Sequence, residues 1–574
     1  MRRSAPSCRW TLAAALLAAT ACGERRETGG SGEPRREEPA AEVPVPASPF
    51  RLRDVTSESG IEFTPLSGGT PSSAILEVKG GGIGLIDFDG DGLVDLFIPN
   101  GATLASPEHG PGARLFRNEG GLRFRDVTEA SGIRHRRWSF GVAVGDFDGD
   151  GQDDLYICCF GPNVLLRNRG DGTFEDLTEP AGVGDPSWST AAAFADLDGD
   201  GHLDLVVVNY LEFDPAAPPP PASFKGIAVL AGPRGLRPAA DRVYRNRGDG
   251  TFEELTAASG VGAAAASYGL NLAIADFSGD GRPDIFIGND SMANHLFLNE
   301  GGGRFREAGM AAGVATNMEG ALQATMGIAL GDVDGNGRPD LFTTNFSSDT
   351  NTLHLNLDGR FFDDRTAAYG LAAPSRPLLG WGAGFFDLDH DGFEDLLFVN
   401  GHVYPQASEE TMDSAYRQPP QLLRREGRRF VAAASAGAWA MEPRVDRSVA
   451  FADLDGDGDI DLVISELNGP IRVIRNELDP APSRWLRVRL DDPRPGSGNR
   501  RGIGAQITLE RGDLVQHRWL WGGGPFQSNA LPEAHFGLPP GEGALRLRVR
   551  WPDGHLDTLE GIAPGQVLVV VRSE

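Results

Sequence analysis

The sequence predicts an all-β fold: a seven-bladed β-propeller closed by a shared blade, followed by a small C-terminal β domain. Three observations predict it. The 574 residues include 77 Gly and 40 Pro, with 40% hydrophobic but only 8% aromatic residues; that balance suits many short strands and tight turns. An Asp-rich string occurs seven times: DFDGDGLVDLFI at 87, DFDGDGQDDLYI at 146, DLDGDGHLDLVV at 196, DFSGDGRPDIFI at 276, DVDGNGRPDLFT at 332, DLDHDGFEDLLF at 387 and DLDGDGDIDLVI at 453. A second string, such as LFRNEGGLRFRDVTEASGI at 115, recurs after each Asp string in turn. Repeats bury their faces on one another, so length alone does not count the domains.

The first segment is a leader. Residues 1–21 carry three arginines, Arg2, Arg3 and Arg9, then an apolar run from Trp10 to Ala19, too short to span a bilayer, and read as a secretory signal peptide. Ala19-Thr20-Ala21-Cys22 resembles the lipobox of bacterial lipoproteins, which implies acylation of Cys22. Gly23 after it, rather than aspartate, implies sorting to the outer membrane or cell surface. Residues 22–48 carry charge, Pro and Gly without apolar period and are expected to form a flexible tether. Cys158 and Cys159 are neighbours in a strand-like DLYICCF, so they point to opposite faces and are expected as buried small hydrophobes rather than a disulfide.

Next come the blades. Small apolar runs such as GVAVGD precede each Asp string and runs such as DLFIPN follow it. The second string adds one strand ending at Asn and one starting at Phe, joined by turns such as Gly-Asp-Gly. Each unit thus offers four short antiparallel strands, which is a propeller blade. The last unit ends at VIRNE, 473–477, without its fourth strand, while a spare one, FRLRDVTSESGI, stands at 50–61. The strands balance at seven blades only if the first segment completes the last blade, which hides the sheet edges. The propeller is expected to span 49–478.

The Asp strings invite an EF-hand reading, which needs flanking helices and a bidentate Glu at position 12. Position 12 holds Ile98, Ile157, Val207, Ile287, Thr343, Phe398 and Ile464, and the flanks are strands, so that reading fails. Oxygen ligands at positions 1, 3, 5 and 9 remain. They are Asp87, Asp89, Asp91 and Asp95; Asp146, Asp148, Asp150 and Asp154; Asp196, Asp198, Asp200 and Asp204; Asp276, Ser278, Asp280 and Asp284; Asp332, Asp334, Asn336 and Asp340; Asp387, Asp389, Asp391 and Asp395; and Asp453, Asp455, Asp457 and Asp461. Position 6 is always Gly, as a left-handed turn requires, and position 7 varies too much to offer more than its carbonyl. Oxygen-only ligation at this spacing points to Ca²⁺, up to seven ions, in a structural role. Ser278 and Asn336 remove charge and are expected to weaken their loops. His390, at position 4, has no expected role. The net charge of −28 disfavours nucleic acid and favours cations.

These repeats resemble the FG-GAP or VCBS repeats of integrin-α propellers and many secreted bacterial proteins, and NGHVYP at 400–405 and SVAFADLDGDGDIDLVISELNGP at 448–470 look like bacterial members of the cartilage acidic protein family. Beyond the propeller, WLRVRL at 485–490 and LRLRVRW at 545–551 alternate as strands whose arginine faces are expected in solvent. With NRRGIGAQITL at 499–509, HFGL at 535–538 and WPDGHLDTLEGI at 551–562, residues 484–574 resemble the ASPIC/UnbV domain. The loop WGGGPFQSN at 521–529 reads as a tight connection or a contact surface. The Arg-Gly-Asp tripeptides at 169–171, 247–249 and 511–513 read as strand turns, not adhesion signals.

No catalytic motif is present, and no residue is expected to be catalytic. The favoured function is a lipid-anchored, extracytoplasmic, calcium-binding propeller that serves as a binding or adhesion module for a protein or glycan, with no nucleic-acid partner. Two long loops, 211–241 and 401–421, are the expected places for binding. The alternative is an enzyme acting on an extracellular substrate such as a polysaccharide at the channel mouth. Convergence there of His402, Tyr404, Tyr416 and Arg417 would favour it.

Overall fold

The computed structural model describes residues 50–433, 437–478, 484–494 and 496–573. The leader, Cys22 and the tether lie outside the described residues.

Blade 2 shows how each unit is built. Its strands Ser139–Gly145, Asp154–Cys159, Val164–Asn168 and Phe174–Asp176 pair antiparallel in chain order. The first two are buried almost throughout because neighbouring blades cover both faces, which is why they read as continuous apolar runs rather than alternating ones. Period two still sorts them. Tyr156 and Cys158 pack toward blade 3, while Ile157 and Cys159 pack toward blade 1, so the two cysteines are buried, free and on opposite faces, as expected. The other first strands are Gly84–Ile86, Ser189–Ala195, Gly269–Ala275, Ile328–Gly331, Gly380–Phe386 and Asp446–Ala452.

The ring closes through a shared blade. Leu52–Asp54 pairs antiparallel with Arg472–Asn476, with Leu52 opposite Asn476, Arg53 opposite Arg475 and Asp54 opposite Ile474. The N-terminal strand therefore supplies the fourth strand of blade 7.

After the propeller, Trp485–Asp491 lies between antiparallel Glu533–Gly537 and parallel Val567–Val571. A second sheet runs Leu514–Trp519, Gln506–Arg511, Leu545–Arg550, Leu556–Ile562. Leu486, Val488, Ile507, Leu547, Val549 and Trp551 fill the core between them. One expectation fails here. The arginine face of 485–490 is not solvated: Arg487 is 4% exposed and bridges Glu533 to Asp453 of the propeller. Alternation identified the strand, but a second domain covers the face that alternation assigned to solvent. Arg546 and Arg548, on the other strand, are exposed as expected.

Candidate metal centres and the two faces of the propeller

Every Asp loop joins the first and second strands of its blade, so all seven open on one end of the ring. The position-6 glycines, Gly92, Gly151, Gly201, Gly281, Gly337, Gly392 and Gly458, have φ between 78° and 97°, a range that L-residues with a Cβ avoid. That turn aims each glycine N–H back at one oxygen of the position-1 carboxylate, 2.8–3.0 Å away in all seven loops. In five loops the other oxygen accepts a second loop N–H, as Asp146 Oδ1 does from Asp150 N at 3.0 Å. In at least five loops the carboxylates of positions 1, 3 and 9 each offer an oxygen within 4.8 Å of the others: Asp87, Asp89 and Asp95; Asp146, Asp148 and Asp154; Asp196, Asp198 and Asp204; Asp332, Asp334 and Asp340; Asp387, Asp389 and Asp395. Oδ1 of Asp87, Asp89 and Asp332 is buried with no hydrogen-bond partner. Buried, unpartnered carboxylate oxygens gathered this closely fit a cation, which would offset the repulsion and desolvation that the loop N–H groups leave uncompensated. Several of these groups can thus hold metal ions.

Position 9 is the buried anchor. Its Oδ1 accepts the backbone N–H at the end of the third strand, as in Asp154 with Asn168 at 2.7 Å, and its Oδ2 accepts a loop N–H, as with Phe147 at 3.1 Å. Burial drives these carboxyls upward, to about 8 for Asp95, Asp204 and Asp340 and about 7 for Asp284.

Two sets of residues escaped the sequence reading. The first is the Asn that ends the third strand. Its side chain reaches the position-2 carbonyl of the preceding blade: Asn118 to Leu454, Asn168 to Phe88, Asn246 to Phe147, Asn299 to Leu197, Asn356 to Phe277 and Asn476 to Leu388, at 2.7–3.0 Å. In blade 6 Arg425 replaces Asn and makes the same reach to Val333. Seven bonds therefore run around the ring, each joining a hairpin to its neighbour's Asp loop. The recurrence of Asn in LFRN-type strings was the available signal. Asn168→Ala is expected to destabilise the protein by about 1–3 kcal/mol, because it strands the buried Phe88 carbonyl; urea unfolding with metal present would measure it.

The second set is the arginine just before that Asn. Arg117, Arg167, Arg245, Arg424 and Arg475 each bridge positions 3 and 5 of their own loop, for instance Arg424 to Asp389 at 2.7 Å and to Asp391 at 2.9 Å. In blades 4 and 5 that place is taken by Leu298 and Leu355, and those are the two loops where Ser278 and Asn336 remove a carboxylate. Arginine and full carboxylate set occur together. In blade 4 a different arginine, Arg282 at position 7, pairs with Asp280 instead.

The C-terminal domain sits on this Asp-loop face and touches a loop of every blade. Arg489 donates to Gly92 O (3.4 Å), Gly498 N to Gly201 O (2.8 Å), Gln506 to Gly337 O (3.1 Å) and Arg484 to His390 O (2.9 Å). Arg501 lies 3.6 Å from Asp153, Arg550 3.0 Å from Asp276, and Arg487 2.7 Å from Asp453. The 521–529 loop goes further in. Gly522–Gly523 adds an edge strand to the first strand of blade 4, opposite Ile274 and Ala273. Phe526, fully buried, meets Trp381 edge-on at 4.9 Å. Val142 N donates to Gln527 O, Ile83 N to Ser528 Oγ and Leu85 N to Asn529 Oδ1. The innermost strand of any blade has a free edge toward the axis, and this loop bonds to those edges in blades 1, 2 and 4. It is a plug, not a surface connection. A Cβ at Gly82 would lie 1.8 Å from Gln527 O, so Gly82 admits the plug.

At the opposite end the axis is also filled. Lys79 Nζ donates to Tyr210 OH (3.0 Å) and lies 3.4 Å from Asp290, whose Oδ2 accepts Tyr210 OH at 2.6 Å. Arg447 stacks 4.2 Å from Trp381 and donates to Val78 O. His402 and Tyr404 approach each other, but His402 has both nitrogens engaged, with Ser347 Oγ and Tyr404 N, and burial lowers its pKa to about 3. Tyr416 is half-buried and Arg417 turns outward to Glu466 at 2.8 Å. His402 N donates to Tyr416 O at 2.9 Å, so three of the four are neighbours, while Arg417 is engaged by Glu466. The two long loops also meet. The 211–241 insert forms a hairpin, Ala222–Phe224 with Ile227–Val229, that reaches across to blades 5 and 6: Lys225 Nζ donates to Met412 O (2.8 Å), and Phe224 packs on Phe346 and Tyr404. At its root, Phe160, Trp188, Phe213, Glu212, Arg237 and Arg242 line an open groove of about 810 Å³.

Comparison with known proteins agrees with this architecture. An FG-GAP-like repeat model matches residues 87–157, 148–207, 229–287, 276–343 and 332–398, and an ASPIC and UnbV model matches 495–574. The chain belongs to the FG-GAP-like repeat family. It is similar to cartilage acidic protein 1 of Xenopus tropicalis, 28% identical over 323 residues that cover 53% of this chain and 45% of the relative. The mouse protein is 28% identical over 322 residues, covering 54% and 46%. The chain spans less than half the length of these relatives. Among solved structures, YCF48 bound to a peptide aligns at TM-score 0.40 with 9% identity, covering 76% of this chain and 99% of that one. An Agrocybe aegerita lectin aligns at 0.34 with 19% identity, covering 68% and 86%. Scores this low leave the fold resting on the strand pairing described above.

Proposed function

We propose that this chain is a lipid-anchored, extracytoplasmic propeller that binds Ca²⁺ in its Asp loops and captures a glycan or protein on the face away from them. Calcium is the cation favoured by the all-oxygen donor sets, and the metal would hold each loop in the shape that its neighbours and the C-terminal domain contact. The observation that carries the binding reading is the division of the two faces. The Asp-loop face is covered by the chain's own C-terminal domain and the axis is filled, which leaves the far face, with the strap hairpin and its groove, as the open surface. Aromatic walls with arginine and carboxylate beside them suit a sugar, whose faces are apolar and whose rims are polar. An enzyme site at the channel mouth has less support, since His402 is bonded internally through both nitrogens.

The test is an oligosaccharide panel titrated by calorimetry against the full chain in calcium. A sugar that binds is expected to lose at least about tenfold in affinity in Phe213→Ala and in Arg242→Ala, the scale of one lost aromatic or charged contact. Binding that survives both substitutions would remove the groove from the proposal.

A further inference from the structure

Position 4 of the Asp loops is left-handed throughout. Six loops place glycine there, Gly90, Gly149, Gly199, Gly279, Gly335 and Gly456, with φ from 71° to 83°. Blade 6 alone places a side chain, His390, at φ 57°. A histidine in that backbone region is disfavoured relative to glycine, so the imidazole must be held by what surrounds it. It is 3% exposed and lies between loop 7 and the C-terminal domain, its ring 5.4 Å from that of His535, itself 7% exposed. His390 Nε2 has no hydrogen-bond partner and stands 3.7 Å from Asp459 Oδ1. Asp459 is the one acidic residue at position 7 among the seven loops. His535 Nε2 donates to Gly458 O at 2.8 Å, and its Nδ1 is also buried without a partner.

We propose that His390, His535 and Asp459 bind one borderline divalent cation of the zinc type, clipping the C-terminal domain to blades 6 and 7 at a site separate from the calcium loops. The donors suit it: imidazole nitrogen selects zinc-like ions, whereas the Asp loops offer only hard oxygen. With metal–ligand bonds of about 2.0–2.2 Å, neighbouring tetrahedral donors stand roughly 3.3–3.6 Å apart, close to the His390–Asp459 separation. The His535 bond to Gly458 O is of the kind that fixes the tautomer of a metal-ligating histidine and leaves the other nitrogen as a lone pair. Asp459 Oδ2 accepts Leu478 N at 3.0 Å, which leaves Oδ1 to face His390.

The test uses the full chain, stripped of metal and then saturated with Ca²⁺, with Co²⁺ as a visible probe and Zn²⁺ for stability. One equivalent of Co²⁺ is expected to give ligand-field absorption, and Zn²⁺ to raise the melting temperature further. His390→Gly restores the residue found in the six sister loops, so without zinc it should melt at the same or a higher temperature and keep the full calcium response. It should lose the cobalt absorption and the zinc increment, with zinc affinity falling at least about 100-fold; His535→Gln should do the same. Cobalt absorption or a zinc increment that persists in His390→Gly, or neither effect in the wild-type chain, would overturn the proposal. A missing calcium response would instead count against the reading of the Asp loops.

Discussion

Chelation of divalent cations is expected to lower the melting temperature by on the order of 10 °C, and by more near pH 8 than near pH 6. Extracellular calcium sites of this donor type bind at about 10⁻⁴–10⁻³ M. At about 10 mM Ca²⁺ each occupied loop then stabilises the folded chain by roughly 1.4–2.7 kcal/mol through mass action. Unfolding entropy scales with length, so for a chain this long 1 kcal/mol moves the midpoint by only about 1 °C, and the expected shift comes from summing several loops. The pH dependence follows from the buried carboxyls. In the metal-free fold Asp95, Asp204 and Asp340 keep their protons up to about 8, and Asp196 and Asp332 up to about 6, because burial penalises the charged form. In the unfolded chain the same groups ionise near 3.9. Between those values the folded state holds more protons, so metal-free stability falls as pH rises through the window from about 4 to about 8. A bound cation replaces the proton and removes that loss. Scanning calorimetry at several pH values, with calcium and with chelator, measures both effects. A metal-stripped protein whose midpoint ignores calcium at every pH would reduce the Asp loops to turns.

The ring and its Asp loops were legible because their information is local and repeated. Seven copies of one spacing put the carboxylates in register, and a surplus strand at 50–61 could only belong to blade 7. What remained hidden is non-local. Asn168 stands in plain view at a strand end, but its partner, the Phe88 carbonyl, belongs to the neighbouring blade, and spacing within one repeat cannot show that. The plug at 526–529 reads as an ordinary Gly-rich connection until the axis it enters exists. His390 departs from glycine at a left-handed position, but its neighbours Asp459 and His535 come from loop 7 and the C-terminal domain, which spacing within one loop cannot show. The arginine stripe at 485–490 shows the same limit. Period two assigns a residue to a face, and only the assembled chain decides whether water or another domain covers that face.

Arg487→Ala is expected to destabilise the protein by about 3–5 kcal/mol in chelator, and by less in calcium. Arg487 holds Asp453 Oδ2 at 2.7 Å through one nitrogen and both oxygens of Glu533 through the others, at 2.5 and 2.9 Å. Burial alone would raise Glu533, but the charges of Arg487 and Arg489 keep it below the usual range, so it is an anion in the interior. Removing the guanidinium strands buried Asp453 and leaves Glu533 with one arginine in place of two, which is the costly way to break a buried ion pair. Arg489 still reaches Glu533, but nothing else from the C-terminal domain reaches Asp453 among the described residues. Asp453 is position 1 of loop 7, so a calcium ion there would take over part of the lost charge. That asymmetry separates a metal-linked contact from a merely structural one: the Arg487→Ala penalty should shrink on adding Ca²⁺, whereas the Asn168→Ala penalty should not. Arg487→Lys should fall between, since one ammonium cannot span both carboxylates. Pairing Arg487→Ala with Asp453→Asn in a double-mutant cycle isolates the coupling. A coupling that is the same with and without calcium would mean that the C-terminal domain docks on the loops without sensing what they hold.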